Sequence, residues 1–309
     1  MSRLETLTRP TTGTDHRAAT RHRPIGFALA ALGLLAAVVT LIANVSAAGQ
    51  VGDGNAAGAA ETLAWSFGLT VTAFGTAKLA IAVVLVGILV RLWQRVEAVK
   101  SALPDLKAPV AVSIAGGPIS TPFGPAVAGR DVPRPLRIHT MAKALWAPML
   151  VMGYMAVLVG LVVSFVWASD PASVDAAAWT QGLQFLGEGF LLAGISFLLG
   201  TILASLREGG GEVQAALGLT VETLKMPTTA KVFIGLMALG VMVAMTQFVL
   251  YLVVAAGVSN PTAWFTWLGP LREFGLGVIL AGIVMALVTI GNVLDFQFHR
   301  VREIVTTGN

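Results

Sequence analysis

The chain has 309 residues, of which 56% are hydrophobic and 12% are charged, and its formal net charge is +4. The charged share is about half that of a soluble domain, which excludes a water-soluble globule. The absence of cysteine excludes disulfides, thiolate nucleophiles, iron–sulfur clusters and thiolate metal sites.

Long apolar stretches occur six times along the chain. A membrane-spanning helix needs roughly 20 consecutive apolar residues, and each stretch reaches that length. The stretch that begins at Val232 is longer than one crossing needs, and Ser259-Asn260-Pro261 breaks it near the point where a helix of about 25 residues would leave the membrane, so it supplies one crossing. The sequence therefore predicts an all-α membrane protein, a bundle of six transmembrane helices at residues 25–47, 64–91, 144–168, 179–205, 231–257 and 271–295.

The distribution of Lys and Arg predicts the orientation of these helices. Basic residues concentrate in the N-terminal tail, in the connections after the second and fourth helices, and at the C-terminus, whereas the alternate connections hold none before Arg272. Cytoplasmic loops carry such an excess, so we expect both termini in the cytoplasm and the lipid bilayer as the surroundings. The topology also explains the sequence pI of about 9.8, and no nucleic-acid partner is expected. Abundant Ala, Val and Arg with few Lys indicate a bacterial source, which predicts the bacterial cytoplasmic (inner) membrane.

The first apolar stretch has a second interpretation. Arg23 precedes it and Val45-Ser46-Ala47 follows, an arrangement that a cleavable signal peptide also shows. We favour an uncleaved helix, because the stretch is long for a signal peptide.

Part of the sequence repeats itself. GEGFLLAGISFLLGTI begins at Gly187, and the similar GLGVILAGIVMALVTI begins at Gly275. The same shift of 88 residues superposes Lys143 on Lys231 and Trp179 on Trp267. Such matches indicate a duplicated helical hairpin, and the first hairpin fits the pattern more loosely. We therefore predict three parallel hairpin repeats in a pseudo-threefold bundle.

The remaining segments are predicted to be hydrophilic connections. The run Glu208-Gly209-Gly210-Gly211 is interpreted as the stop of the fourth helix. The complete predicted organisation is a disordered basic cytoplasmic tail (1–24), a first hairpin (25–95), an irregular Pro- and Gly-rich cytoplasmic linker (96–140), a second hairpin (141–207), a cytoplasmic loop (208–230), a third hairpin (231–298) and a cytoplasmic C-terminus (299–309).

Lys78 and Glu188 are charges within predicted helices. An unpaired charge at the centre of a membrane span costs on the order of 3 kcal/mol, so a partner or water is expected. Counted from the cytoplasmic helix ends, the two residues lie at similar depth, and we hypothesise that they pair inside the bundle. The alternatives are that Lys78 reaches the headgroups while Glu188 is protonated, that the two line a solvated pathway, or that they contact another subunit.

Further candidate residues lie near the helix ends. Arg272 and Glu273 are predicted at the outer mouth of the sixth helix, as interfacial anchors rather than a gate. Asn292, Asp295, Gln297 and His299 form a polar cluster at its cytoplasmic end, where the helix leaves the membrane or where a proton could enter. All four histidines lie in tails or at helix ends, and no Walker motif is present. We expect neither a metal nor a cofactor.

The scarcity of polar groups within the helices predicts a non-catalytic accessory or scaffolding subunit of a membrane complex. Its partners would be other membrane subunits, or further copies of the chain, that contact glycine-rich faces of the fourth and sixth helices. The alternative is a transporter or channel for a small solute or an ion that uses Lys78 and Glu188. An enzyme is not expected.

Overall fold

The computed structural model describes residues 22–102, 117–121, 124–129, 135–216 and 219–307. Most of the predicted basic tail and nearly half of the predicted linker lie outside these ranges. The described elements, in chain order, are α1 (His22–Gly52), α2 (Ala56–Ala102), β1 (Gly117–Thr121), β2 (Gly124–Gly129), α3 (Arg137–Ser169), α4 (Val174–Ala216), β3 (Val221–Leu224), α5 (Thr228–Ala255) and α6 (Pro261–Thr307).

All six helices are long and apolar enough to cross a membrane. The shortest, α5, has 28 residues and is about 42 Å long, which exceeds the hydrocarbon thickness of roughly 30 Å. This finding confirms the predicted number and order of the helices and is consistent with a multi-pass integral membrane protein. The helices extend beyond the predicted bounds because hydrophobicity marks only the apolar part of each helix.

Helix α4 lies at the centre of the bundle. It packs against α2, α3, α5 and α6, whereas α1 packs along α2. In the most apolar window of α4 78% of the residues are buried, against 17% in α1. In the predicted repeat α4 corresponds to α2 and α6, whose most apolar windows are only 39% and 28% buried. The bundle does not confirm the pseudo-threefold relation or the repeat architecture, and both stay predictions.

Small residues let the helices approach one another closely. A Cβ atom added to Gly187 would lie 2.7 Å from the carbonyl oxygen of Gly153 on α3, and one added to Gly194 would lie 2.7 Å from Cγ of Leu150. Close backbone contact of this kind drives helix association where lipid supplies no hydrophobic force. The glycines of α4 thus pack inside this chain, whereas Gly277 of α6 faces open space.

The run predicted to stop the fourth helix does not stop it. Helix α4 continues through Glu208-Gly209-Gly210-Gly211 to Ala216. A Cβ atom at Gly209 would lie 2.6 Å from Val96 of α2, and one at Gly210 would lie 2.6 Å from Gln297 of α6. These glycines therefore allow two neighbouring helices to approach α4, a role that the run itself does not reveal.

A small antiparallel sheet lies at the end of the bundle where α4 ends and α5 begins, which we name the sheet end. Strand β2 pairs with β1 on one side and β3 on the other, with Pro118 opposite Val127 and Ala126 opposite Leu224. Ala126 and Ala128 are buried while Val127 between them is exposed, which is the alternation of a strand with one covered face. The predicted linker therefore contains a regular β-hairpin where the sequence predicts irregular structure. The third strand of this sheet, β3, lies almost a hundred residues further along the chain, so the linker sequence alone does not reveal the sheet.

Candidate functional site

The carboxylate of Glu188 lies between two cations. Its Oε1 atom is 2.5 Å from Nζ of Lys78, and its Oε2 atom is 2.7 Å from a guanidinium nitrogen of Arg272. The side chain of Glu188 is 3% exposed and those of the two cations are each 19% exposed. Lys78 belongs to α2, Glu188 to α4 and Arg272 to α6, so each of the three hairpins contributes one residue. We name these three residues the charge triad.

The glycines on either side of Glu188 set its direction. Gly187 packs against α3, and a Cβ atom at Gly189 would lie 2.7 Å from Cβ of Ala244 on α5. Successive residues of an α-helix are rotated by about 100°. Because α3 packs against Gly187 and α5 packs against Gly189, the side chain of Glu188 is directed toward α2 and α6, which carry the cations.

Arg272 has further contacts besides Glu188. Its guanidinium carbon lies 3.8 Å from the ring centroid of Phe185, which is buried one turn before Glu188 on α4. A cation over an aromatic face is attracted by the ring quadrupole. Glu273 approaches another guanidinium nitrogen at 3.8 Å, but its side chain is 74% exposed. The aromatic ring and the carboxylate together hold Arg272 inside the bundle.

The charge triad has one more positive than negative charge. Glu188 shares its two oxygens between Lys78 and Arg272, while the exposed Glu273 adds little compensation. Ions removed from water are stable only when charges and hydrogen bonds are well matched. The single negative charge of Glu188 is therefore needed to stabilise both Lys78 and Arg272 inside the bundle.

The sequence predicts Arg272 at the start of the sixth helix, at its outer mouth, whereas the structure places it well inside α6. Helix α6 begins at Pro261, with Pro270 inside it, so Arg272 is eleven residues from the helix start. At 1.5 Å per residue this places Arg272 about 16 Å into the bundle. Glu273, which follows it, is exposed on the outer surface of α6.

The predicted polar cluster near the end of α6 does not join the charge triad. Asn292 and Asp295 are exposed and His299 is partly buried, and Asn292 lies about 30 Å further along α6 than Arg272. Phe296 of this region is buried, and the neighbouring Gln297 donates a hydrogen bond to the carbonyl oxygen of Leu206 on α4. These positions agree with a helix end whose outer face is polar.

A line of polar residues on α4 leads toward Glu188. Thr180, Gln184 and Glu188 are four residues apart, on one face of the helix, and all are buried. Gln184 Nε2 donates to the carbonyl oxygen of Gly68 on α2 at 3.0 Å. Among the described residues, the Oε1 atom of Gln184 and the Oγ1 atom of Thr180 have no hydrogen-bond partner. The sequence analysis missed this line, although the spacing of four residues was visible.

Within the described ranges, no group of three or more His, Asp or Glu side chains lies close enough together to hold a metal ion. No protein-family model, curated protein or solved structure matches the chain. Its function must be inferred from the geometry of the bundle itself.

Proposed function

We propose that the chain is a non-catalytic accessory or scaffolding subunit of a membrane complex. The observation that carries this proposal is the satisfaction of Glu188 by cations from the two other hairpins. A carboxylate held in this way ties three hairpins together. It is poorly suited to exchange protons or to bind a solute, because both of its oxygens are already occupied.

Hydrogen bonds between helices support a structural role. Gln184 of α4 donates to a carbonyl of α2, Gln247 of α5 donates to the carbonyl of Leu268 on α6, and Gln297 of α6 donates to α4. Side-chain amides that bond across helices fix their relative positions in a membrane. Such a bundle would serve as a rigid platform.

The proposal includes a location and an evolutionary origin. The basic residues near the sheet end favour its placement on the cytoplasmic side of a bacterial inner membrane. The repeat at a shift of 88 residues favours duplication of a hairpin, after which the central copy acquired Glu188 where the third copy has Leu276.

An outward surface of α6 is the proposed contact for a partner subunit. Gly277 is exposed, and a Cβ atom added there would meet nothing within 4 Å. Small residues on an outer helix face allow another helix to approach closely. Gly187, Gly189 and Gly194 of α4, by contrast, pack against α3 and α5 of the same chain.

Extraction of the tagged chain from its native membrane in a mild detergent, followed by sizing, tests this proposal. We expect the wild-type chain to elute with other membrane subunits, and Gly277→Leu to elute alone but folded. Gly235→Leu is the matched control, because Gly235 on α5 also faces open space and is outside the proposed contact. A wild-type chain that elutes alone, or a Gly277→Leu chain that keeps its partners, would contradict the proposal.

A second candidate function is transport of a small solute or an ion. The observation that favours it is the pair of unpartnered buried oxygens on Thr180 and Gln184, which form a polar line toward Glu188. Buried polar atoms without protein partners commonly bind water. Proton flux into liposomes that contain the purified chain distinguishes the two functions. A conducting chain loses flux in the Thr180→Val, Gln184→Leu double variant, whereas a scaffold shows no flux above empty liposomes in either form.

A further inference from the structure

The sheet end contains a cavity of about 80 Å³ whose mixed lining includes three basic residues. His139 of α3, Arg207 of α4 and Lys225, which follows β3, are among its lining residues. One water needs roughly 10 to 15 Å³ of such space, so the cavity has room for a larger polar group. We name it the basic lobe.

The positive charge of the basic lobe is only partly compensated. Among the described residues that line the lobe, the one carboxylate is Glu222 of β3, and it lies 3.3 Å from a guanidinium nitrogen of Arg300 on α6. Glu208, which follows Arg207 on α4, offsets part of the charge of Arg207, so the excess positive charge of the lobe comes mainly from Lys225. In addition, the buried Nε atom of Arg207 has no hydrogen-bond partner within the described part of the chain. A buried donor without a partner is expected to meet a ligand or water.

A second cavity, of about 50 Å³, continues from the basic lobe between α3, α4 and α5. The two cavities share four lining residues, which are His139, Leu203, Met226 and Ala230. The second cavity extends along α4 from Leu203 to Ser196, about 10 Å toward the middle of the membrane. We name it the apolar lobe.

The lining of the apolar lobe suits a hydrocarbon chain. Its wall is largely apolar and includes Phe197, Phe233 and Met237. Its Ser196 hydroxyl donates to the carbonyl oxygen of Leu192 in its own helix at 2.9 Å, so it needs no polar ligand. Ile234 of α5 is partly exposed, which brings the lobe to the outer surface of the bundle.

We propose that the two lobes together bind an anionic phospholipid. The phosphate lies in the basic lobe near Arg207 and Lys225, and part of an acyl chain lies in the apolar lobe. Basic pockets between transmembrane helices on the cytoplasmic side recognise anionic headgroups in this way. A lipid at this position fills the space between α3 and α5 and contacts β3, so it stabilises the sheet against the bundle. This inference does not depend on the scaffolding function.

Native mass spectrometry of the purified full-length chain in a neutral detergent tests the proposal. Three ligands are titrated in parallel: phosphatidylglycerol, phosphatidylcholine with the same acyl chains, and inorganic phosphate. We expect one phosphatidylglycerol per chain at a Kd at least tenfold lower than that of phosphatidylcholine, and no saturable phosphate binding in the same concentration range. Equal binding of the two lipids would overturn the proposal. Phosphate that displaces phosphatidylglycerol at equimolar concentration would overturn it too, because the site would then be one for a free anion.

Charge-neutralising variants locate the site. Each cation near a headgroup contributes about a fivefold change in affinity, so Lys225→Gln should weaken phosphatidylglycerol about fivefold and the Arg207→Gln, Lys225→Gln double variant more than tenfold. Lys143→Gln removes an exposed cation of α3 that lines neither lobe, and it should change the Kd less than twofold. Lys225 is exposed, so Lys225→Gln should fold normally. It tests the proposed site by itself if the double variant does not fold. Wild-type affinity in Lys225→Gln, or an equal loss in Lys143→Gln, would overturn the assignment.

Discussion

Glu188 and Arg272 meet at 2.7 Å inside the bundle although 84 residues separate them in the chain. Arg272 comes from the third hairpin, and Lys78, on the other oxygen of Glu188, comes from the first. A pair of opposite charges would make its two members equally necessary. A carboxylate shared by two cations makes its members unequal, and this difference can be measured.

Replacement of Glu188 should be much more costly than replacement of Lys78. Glu188→Gln leaves two cations without a counter-charge, and breaking a buried ion pair costs about 3 kcal/mol or more. Lys78→Met leaves the neutral pair of Glu188 and Arg272, so we expect a loss of about 1 kcal/mol or less. The free energy of unfolding of each purified variant, measured by titration with a denaturing detergent, checks this order.

The control for this comparison is Glu273→Gln. Glu273 lies beside Arg272 but its side chain is 74% exposed, so its replacement should change stability by less than about 0.5 kcal/mol. Equal losses in Glu188→Gln and Lys78→Met would mean that Arg272 does not share the carboxylate.

Gly187→Ala should destabilise the bundle although alanine forms helices better than glycine. The new Cβ atom would lie 2.7 Å from the carbonyl oxygen of Gly153 and 2.8 Å from the backbone nitrogen of Val157. Both atoms belong to the backbone of α3, so the helices must separate, and overpacking of this kind costs about 1 to 3 kcal/mol. The same detergent titration measures the loss.

Gly277→Ala is the matched substitution on α6. Nothing lies within 4 Å of the added atom, so the isolated chain should be unchanged or more stable by up to about 1 kcal/mol, the difference in helix propensity. If both glycine variants behaved alike, the close packing of α3 on α4 would be contradicted.

The sheet end should be on the cytoplasmic side. The chain contains no cysteine, so one introduced thiol can be labelled without background. Val127 is 41% exposed on β2, and Val127→Cys should react with a membrane-impermeant maleimide only after the cells are opened. Asp53→Cys, in the exposed turn between α1 and α2, should react in intact cells. The reverse pattern would invert the proposed topology.

The sequence predicts the helices well because the hydrophobic requirement of a membrane span is local. The sequence also identifies Lys78 and Glu188 as candidate residues. A charge within an apolar segment costs free energy on insertion into the membrane, however the rest of the chain folds. Depth counted from the helix ends was enough to suggest that the two could meet. The prediction of the helices and the hypothesis that Lys78 meets Glu188 both depend only on residue spacing along single helices.

What the sequence analysis missed depends on contacts between distant segments. The apolar stretch predicts a sixth helix that begins at residue 271, which puts Arg272 at its start, whereas α6 begins at Pro261. The repeat offered a signal, since a shift of 88 residues superposes Arg272 on Gln184, one turn from Glu188. The pairing of β2 with β3 had no such signal, because strand pairing between distant segments leaves little trace in one sequence.

The coupling between Arg272 and Glu188 tests the charge triad most directly. The free energy of unfolding would be measured for the wild-type chain, Arg272→Gln, Glu188→Gln and the double variant. We expect the loss in the double variant to be smaller than the sum of the two single losses by about 1 kcal/mol or more, as for residues in one ion-pair network. Losses that add to within about 0.5 kcal/mol would show that the two side chains do not interact, and would contradict a carboxylate that joins the three hairpins.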